Sequence, residues 1–168
     1  MASAGRRIVV AVDESEESMY ALSWCLKNVA VAAAAAAAEE EDRCKDTIVL
    51  LHARRPRVVY PAMDGTGYMF SSDIVASMER YGGELSTAVI EKAKQLCADF
   101  PDVKVETMVE SGDPRDVICE AVGKMEANML VMGSHGYGAI KRAFLGSVSN
   151  HCAQNVKCPV LIVKRPKH

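Results

Sequence analysis

The sequence predicts a single α/β domain built on a parallel sheet of five strands. Continuous apolar runs rich in Val and Ile recur along the 168 residues, a pattern typical of strands that are buried on both faces. Segments with helical periodicity separate these runs, so strands and helices alternate along the chain. That order is typical of a doubly wound sheet with right-handed crossovers. The length suits one core and is short for two, so we expect one domain over residues 1–168.

The first strand and helix are predicted near the N-terminus. The run Ile8–Val12 forms the strand, and Asp13 ends it. Ser15 is the expected N-cap of a helix, because two glutamates follow it in the first turn. The alanine tract Ala32–Ala38 is expected to extend this helix into solvent.

The second strand is predicted at Thr47–Ala53, and a long loop over residues 54–71 follows it. Long loops in compact domains are usually functional or mobile, so a ligand cover, a partner contact and surface disorder all stay open. A long helix is then predicted over Ser72–Phe100, and we expect the pair Gly82-Gly83 to kink it or divide it in two.

The remaining elements follow in the same alternation. Val103–Val109 alternates as a strand, and Asp113 is the predicted N-cap of the next helix because a proline stands at its first position. A strand at Met129–Met132, a helix at Ser147–Asn155 and a last strand at Pro159–Val163 complete the order.

The segment after the fourth strand carries most of the functional information. Gly133 and Gly136 are separated by two residues, and Gly146 and Ser147 come after nine more, at the start of the last helix. Glycine lets the backbone approach a ligand closely. A helix N-terminus presents free N–H groups and a positive dipole end to an anion. Together these features predict a site for a phosphorylated ligand.

The topology predicts where that site lies. Ligands of open parallel sheets bind beyond the carboxyl ends of the strands, where the strand order reverses. Ala11–Asp13, His52–Ala53 and Gly133–Ser149 meet there if the first and fourth strands are neighbours. Asp13 would then accept from a ribose hydroxyl or an exocyclic amine. A plain turn role for Asp13 and an exposed, unused His135 are the alternatives.

Several classes of protein are disfavoured. The net charge of −2 and the 5% aromatic content argue against nucleic-acid binding. The sequence contains no GxxxxGK[ST], no GxSxG and no HExxH motif, and no GxGxxG follows the first strand. These absences argue against P-loop enzymes, the usual hydrolase fold, zinc proteases and dinucleotide dehydrogenases.

The cysteines and the apolar segments bear on the compartment. The six cysteines form no CxxC pair, and most lie in apolar patterns, so we expect free thiols in a reducing compartment. The N-terminus lacks the apolar region of a secretory signal, and no apolar run approaches the 20 or so residues that span a bilayer. We therefore expect a cytoplasmic protein without membrane insertion, with nuclear or membrane-peripheral pools reached only through partners.

The glycine pattern, Gly133-x-x-Gly136 and then Gly146-Ser147 after nine residues, resembles the ATP-binding signature of the universal stress protein family. The phrasing Gly-Ser-His-Gly-Tyr-Gly and Asn-Val-Lys-Cys-Pro-Val resembles the plant single-domain members. The likeness runs from Arg7 to Lys164, so the domain core is expected at about 7–164.

This resemblance implies a Rossmann-like fold, of the type found in adenine nucleotide alpha hydrolases, with helices on both faces and strand order 3-2-1-4-5. It also implies ATP or AMP as the ligand, with Mg²⁺ accompanying ATP, and a homodimer that pairs through the last strand, Val160–Val163. No catalytic residue and no protein metal ligand are implied. The residues that would bind nucleotide are Ala11, Val12, Asp13, Ala53, Met132, Gly133, Ser134, His135, Gly136, Gly146, Ser147, Val148 and Ser149.

Three functions remain open. The leading hypothesis is a non-enzymatic, dimeric switch that binds adenine nucleotide in a stress response. The second is a slow ATPase in which Lys141 or Arg142 offsets phosphate charge. The third is a scaffold that works without nucleotide, including a thiol-based redox chaperone. For that variant Cys158 is the cysteine to test, although a buried core thiol is the simpler interpretation.

Overall fold

The computed structural model describes residues 4–30, 44–56, 72–135 and 145–166. Five strands form one parallel sheet in the order β3-β2-β1-β4-β5, which confirms the predicted fold and strand order. The chain leaves β1 in one direction across the sheet and later returns to its other side at β4. The strands are β1 (Arg7–Ala11), β2 (Thr47–Arg54), β3 (Lys104–Ser111), β4 (Met129–Gly133) and β5 (Val160–Val163).

The helices alternate with the strands as predicted. Ser15 caps the first helix by accepting a hydrogen bond from the Ser18 backbone N–H, and Asp113 caps the third by accepting from the Arg115 backbone N–H. Of the loop predicted over residues 54–71, Arg54 belongs to β2 instead. The rest of that loop from residue 57 onward, and the alanine tract, lie outside the described residues. The helices are α1 (Glu16–Cys25), which continues as a π-helical turn (Leu26–Ala30), α2 (Ser72–Cys97), α3 (Pro114–Lys124) and α4 (Ser147–Asn155).

The sheet is buried on both faces, which explains the uninterrupted apolar runs. In β1, Ile8 and Val10 pack into the core beneath α1 and α2, whereas Val9 between them packs into the core beneath α3 and α4. All three side chains are fully buried. Successive residues of a strand point to opposite faces, so a central strand covered on both sides must be apolar throughout.

Some predicted boundaries differ from the structure. α2 is one continuous helix through Gly82 and Gly83, so the expected division into two helices is wrong. A side chain at Gly82 would press on Arg54, because a Cβ there would lie 3.1 Å from the Arg54 Nε atom. The glycine therefore makes room for a neighbour and does not break the helix. α2 also ends at Cys97 rather than Phe100, and β1 ends at Ala11 rather than Val12.

Candidate functional site

A cavity of about 340 Å³ lies beyond the carboxyl ends of β1, β2 and β4, where the strand order reverses. Most of the predicted site residues meet there. Gly136 lies outside the described residues, and Ser134, Gly146 and Ser147 lie next to the cavity in the chain without lining it. The predicted residues that line the cavity are Ala11, Val12, Asp13, Ala53, Met132, Gly133, His135, Val148 and Ser149.

Two hydrogen bonds join the ends of the glycine-rich segment. The Gly146 backbone N–H donates to the Ser134 carbonyl at 2.7 Å, and the Ser149 hydroxyl donates to the Gly133 carbonyl at 2.8 Å. Gly133 ends β4, and Gly146 immediately precedes α4. The two parts of the motif are therefore in direct contact, although 12 residues separate them in the sequence.

Gly133 is also required for packing within the chain. A Cβ at this position would lie 3.0 Å from the carbonyl carbon of Glu17 and 3.1 Å from its Cβ atom. These distances are shorter than side chains normally tolerate, so α1 approaches the end of β4 only because residue 133 has no side chain. The sequence argument assigned this glycine to a ligand; the structure places it at the cavity and shows in addition a close approach to α1.

The N-terminus of α4 lacks a side-chain cap. Gly146 occupies the N-cap position in an extended conformation (φ −66°, ψ 160°), and none of the described side chains accepts a hydrogen bond from the first amides of the helix. Val148 and Ser149, in the first turn, line the cavity. The first amides of a helix have no partners within the helix, and they carry the positive end of its dipole. This side of the cavity is therefore suited to an anion.

The turn after β1 is held by local hydrogen bonds. The Asp13 carboxylate accepts from the Ser15 backbone N–H at 2.9 Å and from the Ser15 hydroxyl. The Asp13 backbone N–H donates to the Ser18 hydroxyl oxygen at 3.0 Å. Asp13 therefore has the turn role named above as an alternative, and its side chain lines the cavity as well. Sequence reasoning missed the hydrogen bond between Ser18 and the Asp13 backbone. A polar residue on the buried side of α1 was the feature that could have indicated it.

His52 supports the same turn from β2. Its Nδ1 atom lies 2.9 Å from the Val12 carbonyl oxygen, and the residue is buried. A carbonyl only accepts hydrogen bonds, so Nδ1 carries the hydrogen in this contact. The Val12 backbone N–H donates to the Leu51 carbonyl at 2.9 Å, which ties the end of β1 to β2 a second time.

His135 has a buried ring nitrogen without a partner. Its Nδ1 atom makes no hydrogen bond to any of the described residues, although the residue lines the cavity and is only partly exposed. The alternative in which this histidine is fully exposed is therefore wrong. An unsatisfied buried polar atom costs about 1–3 kcal/mol, so a polar group of a ligand in this cavity would remove a real penalty.

Further lining residues come from elements outside the glycine motif. Arg54 ends β2 and donates from Nη2 to the Glu79 carbonyl of α2 at 3.0 Å, and Arg55 follows it. Their position in the sequence could have indicated this role, because both lie at the end of a strand that ends at the site. The sequence could not show that α2 and α3 also reach the cavity. The other additional lining residues are Glu14, Ser18, Leu51, Gly82, Leu85, Ser86, Pro114 and Ile118.

The cysteines divide by exposure. Cys25, Cys97 and Cys152 are buried, Cys119 and Cys158 are half-buried, and Cys44 is exposed. Burial raises the pKa of Cys25 to about 12 and that of Cys97 to about 11, so both are neutral thiols at physiological pH.

None of the described helices is both long enough and apolar enough to cross a membrane. The described residues also contain no cluster of His, Cys, Asp and Glu that could hold a metal ion.

The fold is shared with solved universal stress proteins. The structure superposes on UspA from Lactobacillus plantarum with a TM-score of 0.73 at 16% identity, covering 96% of this chain and 99% of the other. It also superposes on a universal stress protein family protein from Arabidopsis thaliana, solved with AMP bound, with a TM-score of 0.64 at 22% identity. That match covers 96% of this chain and 92% of the other.

The sequence comparisons agree with the fold. Universal stress protein PHOS32 from Arabidopsis thaliana is 33% identical over 177 aligned positions, which cover 98% of this chain and 67% of the relative. The chain thus spans about two thirds of the length of that relative. The family model described as the universal stress protein family matches residues 5–164. The chain therefore belongs to the universal stress protein family.

Proposed function

We propose that this protein binds an adenine nucleotide, AMP or ATP, in the cavity at the ends of β1, β2 and β4. The uncapped start of α4 beside that cavity is the observation that carries the proposal. The similar Arabidopsis protein solved with AMP bound supports adenine nucleotide as the ligand class. The cavity of about 340 Å³ falls in the range of small-molecule sites, which is about 300–1,000 Å³.

The phosphate belongs at the α4 side of the cavity. There the backbone amides at Val148 and Ser149 offer donors that no side chain caps, and the helix dipole favours negative charge. The unpaired Nδ1 of His135 supplies a further polar contact at the same wall. Lys141 and Arg142, named above as residues that could offset phosphate charge, lie outside the described residues.

The nucleoside belongs at the β1 and β2 side. Val12, Ala53 and Leu85 give this part of the cavity apolar walls against which a purine ring can pack. Asp13 stands at its edge, where a carboxylate can accept a hydrogen bond from a ribose hydroxyl or an exocyclic amine. His52 and Ser18 fix the backbone on either side of Asp13, so this carboxylate is positioned before a ligand arrives.

A dimer completes the proposed switch. β5 is an outer strand of the sheet, bonded to β4 on one side, and its residues Val160–Ile162 are half-buried. Such an apolar edge pairs readily with a second strand, so we place a homodimer contact there. Nucleotide occupancy would bias the dimer, or the surface it offers to partners in a stress response, by favouring one conformation.

Ligand release tests the nucleotide proposal. The protein is purified without added nucleotide and denatured, and released small molecules are identified by chromatography and mass spectrometry, with Gly146→Asp as control. We expect AMP or ATP near one per chain from the native protein and none from the variant. Recovery of ADP after incubation with ATP would instead favour the slow ATPase. An empty protein that millimolar AMP or ATP does not stabilise would contradict the proposal.

The switch is tested on the loaded protein. Mass by light scattering, with and without AMP, reports whether the dimer forms and whether nucleotide shifts its equilibrium. A charged substitution in the edge strand, Leu161→Glu, should give a monomer, and the exposed Lys104→Glu on the opposite edge strand should not. A monomeric native protein, or an equilibrium that ignores AMP, would contradict the switch without affecting the binding proposal.

A further inference from the structure

Two cysteines lie together behind the cavity and have no part in the proposed nucleotide site. Cys119 belongs to α3 and Cys152 belongs to α4, and the two side chains are close enough that Cys119 contributes to the raised pKa of Cys152. Both belong to the apolar cluster between these helices and the sheet, in which Cys152 is fully buried and Cys119 is partly exposed. Disulfide bonds in reducing compartments are usually transient and regulatory, so two neighbouring thiols in one cluster form a candidate redox pair.

The pair is placed to act on the cavity. Cys119 directly follows Ile118, which lines the cavity from α3. Cys152 lies three residues after Ser149, so the two share one side of α4, and Ser149 lines the cavity. A bond between the sulfur atoms would therefore connect the two helices immediately behind residues that face the ligand.

We propose that Cys119 and Cys152 form a disulfide when the protein meets a hydroperoxide, and that this bond clamps α3 to α4 and changes the affinity of the cavity for nucleotide. The effect on affinity rests on the proposed function, whereas formation of the bond does not. Two sulfur atoms that are not bonded lie farther apart than the ~2.05 Å of a disulfide, so the bond would draw the two helices together.

The chemistry balances in two steps. The Cys119 thiolate attacks one oxygen of hydrogen peroxide, so an S–O bond forms, the O–O bond breaks and the other oxygen leaves as water after taking up a proton. The Cys152 sulfur then attacks the sulfur of this sulfenic acid. The S–S bond forms, the S–O bond breaks, and the hydroxide leaves as water with the proton of Cys152. Overall two thiols lose two electrons, and the peroxide is reduced to two molecules of water.

The exposure of the two thiols sets their order of reaction. An oxidant reaches the half-buried Cys119 before the fully buried Cys152, which then resolves the intermediate from within the core. Burial raises the pKa of Cys152 to about 12, so this thiol stays protonated and is not the one that an oxidant attacks first. Cys158 packs against the same cluster and is the competing resolving cysteine.

Peptide mapping distinguishes the two pairings, because trypsin separates all six cysteines. Cys119 falls in the peptide 116–124, Cys152 in 143–157 and Cys158 in 158–164. After treatment with hydrogen peroxide and alkylation, we expect a linked pair 116–124 with 143–157, and its loss when dithiothreitol is added. A link from Cys119 to Cys158, or sulfinic acid at Cys119 without any link, would overturn the proposal.

Variants separate the bond from general oxidation. Cys119→Ser removes the attacked thiol at a half-buried position and should abolish the link, whereas Cys44→Ser, at the exposed cysteine, should leave it intact. Oxidation should raise the Tm of the native protein by about 5–10 °C, because the bond closes a loop of some 30 residues, and should not do so in Cys119→Ser. An equal rise in both proteins would contradict a clamp between α3 and α4.

The effect on the cavity has its own measurement. Titration of AMP into reduced and oxidised protein should give dissociation constants that differ at least threefold, with no difference in Cys119→Ser. A linked peptide with an unchanged dissociation constant would overturn the coupling and leave the proposed function standing. No AMP binding in either form would count against the proposed function, while the mapped link would still support the redox pair.

Discussion

The starts of α3 and α4 face the same cavity, but they are built in opposite ways. At α3 the Asp113 side chain accepts from the Arg115 backbone N–H at 2.9 Å, and the Arg115 guanidinium pairs with the same carboxylate. At α4 the N-cap is Gly146, and no side chain in the described part of the chain caps the helix. Pro114 and Val148, in the first turns of these helices, both line the cavity.

This difference separates stability from binding. A helix start capped by its own carboxylate has its amides satisfied and its dipole countered, so it has little to offer an anion. A start with glycine as its N-cap forgoes a stabilisation of roughly a few tenths of a kcal/mol, and it keeps its amides for a ligand. We therefore expect changes at α3 to alter folding, and changes at α4 to alter nucleotide binding.

Gly146→Asp should give the largest effect by converting the α4 start to the α3 type. A carboxylate there would cap the free amides and repel phosphate, so AMP binding should weaken at least about 100-fold, or ~2.7 kcal/mol. The free energy of unfolding without ligand should stay the same or rise by about 0.5 kcal/mol. Calorimetric titration and urea denaturation measure the two quantities. A variant that unfolds more easily and still binds AMP would contradict the expectation that the α4 start serves binding rather than stability.

Gly133→Ala tests the close approach of β4 and α1. The added Cβ would press on the Glu17 backbone at 3.0 Å, so the free energy of unfolding should fall by about 1–3 kcal/mol. Gly123→Ala, in α3, is the matched control, because a Cβ there meets nothing within 4 Å. The control should be neutral or slightly stabilising. Equal stability of the two variants in urea would show that residue 133 does not need to be glycine for packing.

Asp113→Ala should damage the α3 start alone. Loss of an N-cap costs about 0.5–2 kcal/mol, so urea denaturation should show that decrease in stability. AMP affinity should stay within about twofold, because the proposed phosphate contacts belong to α4. A larger loss of AMP affinity than of stability would mean that the α3 start also holds the ligand.

The smallest expected effect is a pH dependence of stability that comes from the α3 start and not from the α4 start. The hydrogen bond from the Arg115 side chain lowers the pKa of Asp113 to about 2, against 3.8 for the free group. A lowered pKa means that this stabilisation is present above pH ~4 and is lost as the pH falls toward 2. The pair is exposed, so its contribution is small. Between about pH 4 and pH 2 we expect the Tm of the native protein to fall by roughly 1 °C more than the Tm of Asp113→Ala. Identical acid profiles of the two proteins would contradict it.

Local signals in the sequence predicted the elements that frame the site. The β-branched runs gave the strands, since a sheet buried on both faces requires them, and the proline after Asp113 marked the start of α3. The spacing of Gly133 and Gly146 indicated two pieces of one site, and the hydrogen bonds between these pieces agree with it.

Contacts between distant residues could not be predicted in this way. The hydrogen bond from His52 to the Val12 carbonyl joins residues 40 positions apart, and its partner is a backbone atom that has no sequence signal. Gly82 was interpreted as a helix breaker because its neighbour Arg54, 28 residues earlier, is invisible to local rules. Side chains that reach the cavity from α2 and α3 depend likewise on packing, which is fixed only once the whole sheet is assembled.

Amide chemical shifts test the central claim most directly, because they report each helix start separately. The protein is labelled with ¹⁵N and titrated with AMP, and the backbone amides of Ser147–Ser149 are compared with those of Arg115–Val117. The account predicts large shifts for the amides of α4, saturating with one AMP per chain, and small shifts for the amides of α3. Saturable shifts at α3 with unchanged amides at α4 would contradict it.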